Sequence, residues 1–256
     1  MLGVMAAIPD SLKASVRAAA ALFARPQPVT VPMVALFAII PFYLVIGSYV
    51  SEQTLHSPLL GLDGWFPREP AWSMVYLSLF LAALLPVFVV HQQELIRRVI
   101  LAYLSAWLFA YAVFLVYPTA APVHAEVTGE GFSAVALRML YDSDVPYNCF
   151  PSLHVAQCFL AALTCNRIHR GVGLATGLWA SLVALSTLYT KQHYVADVVA
   201  GILLAYAAHL VFFRGYPRDA TPESERRLAP LLALGAFGLY GLVVVGLWLL
   251  YALTRG

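Results

Sequence analysis

A chain of 256 residues with 61% hydrophobic and only 11% charged side chains, and a mean hydropathy of +0.79, falls far below the roughly 25% charge of soluble domains. That deficit excludes a soluble globular enzyme and puts the whole chain in the membrane class. Its 15 basic and 13 acidic groups leave a net charge of +2, too small a surplus for a nucleic-acid partner, so the charges matter through where they sit.

Residues 11–24 are alanine-rich and carry Lys13 and Arg17. No basic stretch precedes a compact apolar core, so the segment reads as an interfacial helix on the cytoplasmic surface and not as a cleavable signal. Pro26, Pro28 and Pro32 separate it from the first long apolar run. Such runs recur at 31–50, 71–90, 99–117, 152–166, 173–190, 194–213 and 229–253, close to the roughly 20 residues a bilayer requires. They predict an all-α polytopic transmembrane helical bundle: a cytoplasmic segment at 1–28, a transmembrane body at 29–213, and a cytoplasmic loop with a further C-terminal span at 214–256. The fourth run is the shortest, and leaving it out would invert the charge pattern.

With the N-terminus inside, only Arg68, Arg138, Lys191 and Arg255 lie on the non-cytoplasmic side. Every other lysine and arginine is cytoplasmic, as the positive-inside rule requires. The longest outer loop, about 118–151, is acidic and holds Pro118, Pro122 and Pro146, which suits a lid or substrate-access element. Three cysteines make no disulfide framework. Cys158 and Cys165 share a helix face as packing residues, and Cys149 falls in the loop.

Ionisable groups inside a bilayer are costly and therefore mark function. The spans contain one acid, Asp197, with His154, His193 and His209 in them or at their edges. Asp197 comes one helical turn after His193, so its carboxylate can accept one ring N–H and leave the other nitrogen free as a nucleophile. The same pair also suits a buried hydrogen bond that specifies helix packing. His154 bears on that choice. One span, a short basic loop and a second span separate it from His193, so both histidines reach the same, non-cytoplasmic level. Pro151 and Ser152 open the helix that carries His154, and a helix start favours phosphate. Lys191 reads either as a phosphate-holding group or as an interfacial anchor. His209 lies toward the cytoplasmic end and reads as packing. His124 and Arg138 sit in the large loop, Arg138 either as a binding group or as a solvated loop residue.

The segments CFPSLHVA (149–156) and STLYTKQHYVADVVAG (186–201) resemble the type 2 phosphatidic acid phosphatase (PAP2) superfamily over roughly residues 70–213. Pro151, Ser152 and His154 match its P-S-G-H motif, with Leu153 for glycine. Ser186, His193 and Asp197 match its S-R, five residues, H, three residues, D motif, with Thr187 for arginine. The resemblance implies a six-helix core and a phosphohistidine mechanism. In it His193 is the nucleophile, Asp197 orients it, and His154 protonates the leaving group. The family's first motif, a lysine, six residues and then Arg-Pro, has no counterpart. Arg25-Pro26 has Ala18 in the lysine's place and lies on the cytoplasmic side.

Tyr117-Pro118-Thr119-Ala120-Ala121-Pro122 stands before the large loop instead. With P-S-L-H and Y-T-K-Q-H-Y it looks like the branch of fungal inositol phosphorylceramide synthases and bacterial relatives, which move phosphorylated head groups between lipids. The expected substrates are a lipid phosphate and an alcohol or water acceptor, with no cofactor and no metal. Lys191, Ser152 and Arg138 are the expected binding residues. Two other readings fit the same residues: a metal site of two histidines and one carboxylate, and a lipid transporter or flippase.

Overall fold

The computed structural model describes residues 27–122, 126–217 and 220–255; the predicted interfacial helix at 11–24 and His124 lie outside the described residues. In lipid every backbone group must find an internal partner, which favours helix throughout. The helices are α1 Gln27–Ile39, α2 Phe42–Val50, α3 Ser73–Leu77, α4 Leu81–Val89, α5 Gln93–Val116, α6 Phe132–Ser143, α7 Leu153–Ile168, α8 Arg170–Tyr189, α9 Val195–Phe213 and α10 Glu223–Arg255. No strand occurs among the described residues, only the isolated bridges His56–Thr119 and Thr119–Asn148. The predicted all-α polytopic bundle is the observed one.

Among the described residues six helical stretches are long and apolar enough to cross a membrane, and they coincide with six of the predicted runs. The remaining run is α7, at 16 residues, about 24 Å against a hydrocarbon core of roughly 30 Å. Its shortness is tolerated because it meets protein instead of lipid. It is packed by α4, α5, α8 and α9, and Cys158, Leu160, Ala161 and Cys165 along it are wholly buried.

Two prolines show how backbone groups are satisfied. Pro86 inside α4 has no N–H for the carbonyl of Ala82, one turn earlier, and the Tyr103 hydroxyl donates to that carbonyl at 2.8 Å. Pro41 breaks the first run between α1 and α2, and the Tyr111 hydroxyl donates to the Ile39 carbonyl at 2.8 Å.

The structure corrects two boundaries. Helix α5 begins well before 99, because Glu94 pairs with Arg97 at 3.1 Å and Arg98 at 2.8 Å and carries the helix through its charged turn. The stretch expected as the longest outer loop, about 118–151, contains α6, whose Ala134, Leu137 and Leu140 recur at helical spacing and pack on Tyr76 and Val127. Helix α10 lies on α4, α7 and α8, with the Tyr240 hydroxyl bonded to the Met74 carbonyl.

Helix α9 reaches the start of α7 at Gly201, where a Cβ would stand 2.5 Å from the Ser152 carbonyl oxygen. That contact is with backbone and cannot yield cheaply. Gly201→Ala is therefore expected to cost about 1–3 kcal/mol, read as a lowered melting temperature in detergent. Gly235→Ala, where a Cβ meets nothing within 4 Å, should leave the melting temperature unchanged or raise it.

Candidate active site

The C-terminus of α8 and the N-termini of α7 and α9 meet at one end of the bundle. Ser152 caps α7, its hydroxyl oxygen accepting the Val155 N–H at 3.3 Å, and its own N–H donates to the Asp197 carbonyl at 3.1 Å. The two motif segments are thereby tied to each other.

Helix α8 ends in a Schellman turn: Gln192 N–H donates to the Thr187 carbonyl at 2.9 Å and Lys191 N–H to the Leu188 carbonyl at 3.3 Å. The left-handed position of such a turn is usually glycine, yet here it is Lys191, with φ of +57°, a conformation that costs a non-glycine residue about 1–2 kcal/mol. The turn delivers His193. Helix α9 starts with the Asp197 carboxylate accepting the Tyr194 N–H at 2.9 Å and Asp63 accepting the Val195 N–H at 2.7 Å.

These turns bring His154, His193 and Asp197 into one line. Asp197 is fully buried, and its Oδ2 lies 3.4 Å from His193 Nδ1. His193 Nε2 lies 3.2 Å from His154 Nδ1. A carboxylate only accepts hydrogen bonds. His193 therefore carries its hydrogen on Nδ1 and turns its Nε2 lone pair toward His154 Nδ1. This arrangement can supply a nucleophile and an acid side by side.

Lys191 and His193 line one cavity of about 290 Å³ together with Leu59, Asp63, Phe66, Pro122, Leu188 and Tyr194. The Lys191 ammonium donates to the Phe66 carbonyl, so it is held at the cavity wall. Ser152 is wholly buried and serves the α7 cap. Arg138 is not brought to the histidines: its Nη1 donates to the carbonyls of Val127 at 2.9 Å and Gly129 at 2.7 Å. His209 stacks on Phe213 and meets Arg167 at the opposite end of the bundle. Sequence reasoning missed Tyr76, which reaches His154, and Asp63, which caps α9. Spacing offers no signal for either, since both are brought in by tertiary packing.

The model of the PAP2 superfamily matches residues 62–211, more than half of the chain. The chain belongs to that superfamily. A PA-phosphatase related-family protein of Dictyostelium discoideum is 24% identical over 118 residues, covering 42% of this chain. The chain spans only 21% of that relative's length. No solved structure matches. His154, His193 and Asp197 all fall inside the matched span.

Cys149, just before the second motif, is buried, and burial pushes its thiol well above the usual range, reinforced by the nearby Asp197 and Asp144 carboxylates. A thiol raised in this way stays protonated at pH 8 and is a poor nucleophile. Folded protein should leave Cys149 unmodified by maleimide at pH 8, whereas denatured protein should react, as read by peptide mass spectrometry.

Proposed function

We propose that the protein is a PAP2-type lipid-phosphate phosphatase or phosphotransferase that works through a phosphohistidine on His193. The observation that carries this reading is the line from Asp197 to His193 Nδ1 and from His193 Nε2 to His154 Nδ1, at 3.4 and 3.2 Å. In the first half-reaction the Nε2 lone pair forms a bond to phosphorus as the ester P–O bond breaks. The bonding electrons pass to the leaving oxygen, which takes a proton from His154. In the second, water or an alcohol attacks phosphorus and gives its proton to His154, the N–P bond breaks, and Nε2 regains its lone pair. Asp197 steadies the positive charge on the His193 ring throughout.

Phosphoryl transfer needs positive charge around the equatorial oxygens. Lys191 at the cavity wall is the proposed cation, aided by the N-terminal turn of α7 that Ser152 caps. A left-handed lysine is the kind of backbone strain that accumulates at functional positions. Lys191→Gly should suit the turn and keep the melting temperature within a few degrees, while turnover falls at least about tenfold. Unchanged turnover would remove Lys191 from the site.

Lys/Arg distribution supports placing this end of the bundle on the non-cytoplasmic face. The cavity walls Leu59, Phe66, Pro122 and Leu188 favour an alcohol over water as acceptor, which supports head-group transfer of the inositol phosphorylceramide synthase kind. Pro122 comes from the stretch that stands in place of the family's first motif.

A metal site fits less well, because Asp197 and His154 address opposite nitrogens of His193 and do not converge on one point. A transporter reading fits less well too, since these groups gather at one end of the helices and not at the midplane. The deciding experiment is brief incubation of purified protein with ³²P-labelled lipid phosphates. Acid-labile, base-stable label on His193 is expected, resistant to EDTA and absent from His193→Ala, and product analysis with added diacylglycerol or ceramide separates transfer from hydrolysis. Lipid movement without label or turnover would sink the enzymatic reading.

A further inference from the structure

The line of histidines has a second arm that phosphoryl transfer at His193 does not by itself require. His154 Nδ1 lies 3.3 Å from the Tyr76 hydroxyl, and that hydroxyl lies 3.3 Å from Asp144 Oδ2. Asp144 Oδ1 receives the Tyr43 hydroxyl at 3.1 Å and the Val145 N–H at 2.9 Å. The Tyr76 and Tyr43 rings meet the His154 ring edge-on, with centroids at 5.5 and 6.5 Å. Segments far apart in sequence, α2, α3 and the end of α6, thus converge on one imidazole. Tyr76 is 1% exposed, and a buried phenol must find partners for its hydroxyl.

We propose that Tyr76, oriented by Asp144, is the positioning residue of His154, fixing its ring and matching Nδ1 in both of its protonation states. This rests on the reading of His154 as acid and then base. The reasoning turns on what each partner can do. His193 needs its Nε2 lone pair at the start of every turnover, and a carboxylate, which only accepts, suits its Nδ1. His154 has to release a proton in one half-reaction and collect one in the next. A carboxylate set directly on its Nδ1 would favour the protonated state and resist release. A phenol both accepts and donates.

While Nδ1 is protonated, it donates to the Tyr76 oxygen, whose own hydrogen goes to Asp144. Once the proton has passed to the leaving oxygen, the hydroxyl turns its hydrogen to the Nδ1 lone pair. Asp144 then keeps the Tyr43 hydroxyl and the Val145 N–H. When the acceptor delivers its proton to Nδ1, the hydroxyl turns back. No Tyr76 O–H bond breaks, and one proton crosses His154 in each half-reaction.

A merely structural role, anchoring the segment after α6 to α2 and α3, predicts something different. General acid catalysis matters for an alkyl alkoxide and little for p-nitrophenolate, which leaves unaided. Single-turnover release, with enzyme in excess, would be measured for phosphatidate and for p-nitrophenyl phosphate. The proteins are wild type, Tyr76→Phe and Asp144→Asn, the last being the variant that keeps shape should Tyr76→Phe fold poorly. Release from phosphatidate should fall about 10–100-fold, part of the roughly 10²–10⁴ that general acid–base catalysis supplies. Release of p-nitrophenol should stay within about threefold of wild type on the same reasoning. Adding Tyr76→Phe to His154→Ala should cost less than about threefold more, because coupled residues are non-additive.

Equal losses on both substrates, no loss on phosphatidate, or full additivity with His154→Ala would overturn the inference while leaving the phosphohistidine intact. Release that survives in His193→Ala, or is absent from wild type, would sink the phosphohistidine reading and this inference with it.

Discussion

A carboxylate with no solvent exposure is the constraint around which this end of the bundle is arranged. Burying a charge is costly unless donors surround it, and Asp197 is fully buried. Its Oδ2 takes the Tyr194 N–H and faces the His193 ring, while its backbone carbonyl takes the Ser152 N–H. One residue therefore closes the first turn of α9, sets the tautomer of His193 and fixes where α7 begins. Gly201, a turn further along α9, permits the close approach that makes the last of these contacts possible. The position of His154 is set as a result, since it sits in the first turn of the helix so placed.

The same accounting of polar groups explains the rest of the bundle. Where a proline withdraws an N–H within an apolar helix, as Pro86 does, a tyrosine from a neighbouring helix supplies the donor. Trp179 ties in the 3₁₀ turn between α3 and α4 through a side chain, its indole N–H donating to the Ser78 hydroxyl at 2.9 Å while that hydroxyl donates to the Val75 carbonyl at 2.6 Å. Tyr103 and Trp179 are packing residues with a polar end, and through such residues an apolar core meets the polar groups that a broken helix ladder leaves open.

How far the sequence revealed this depends on the range of each interaction. Spans, the bundle class and the pairing of His193 with Asp197 were legible because they rest on composition and on spacing within one helix. The meeting of His154 with His193 was legible one step further out, since crossing and recrossing a membrane returns a chain to its starting level. Helix α6 was hidden by its acidic flanks and the prolines on either side, which outweighed the helical spacing of Ala134, Leu137 and Leu140. The start of α5 was hidden because Glu94, Arg97 and Arg98 depress local hydropathy, although their pairing supports a helix. Tyr76 and Asp144 carried no readable signal, because nothing local in a tyrosine within a span or an acid in a loop announces a shared partner.

The departures from the family motif have a structural counterpart. Thr187 occupies the position where arginine is usual, and it is wholly buried, its hydroxyl donating to the Ala184 carbonyl at 2.7 Å. Its carbonyl also accepts the N–H groups of Gln192 and His193, so the residue holds the turn and presents no charge to the cavity. The cation nearest in sequence is Lys191, moved from the helix onto the turn, where its left-handed backbone carries it to the cavity wall. A strained lysine in a glycine position is a costly way to cap a helix. Under the proposed function the charge lost at Thr187 is restored at Lys191, and on that reading the strain and the motif departure are two sides of one arrangement.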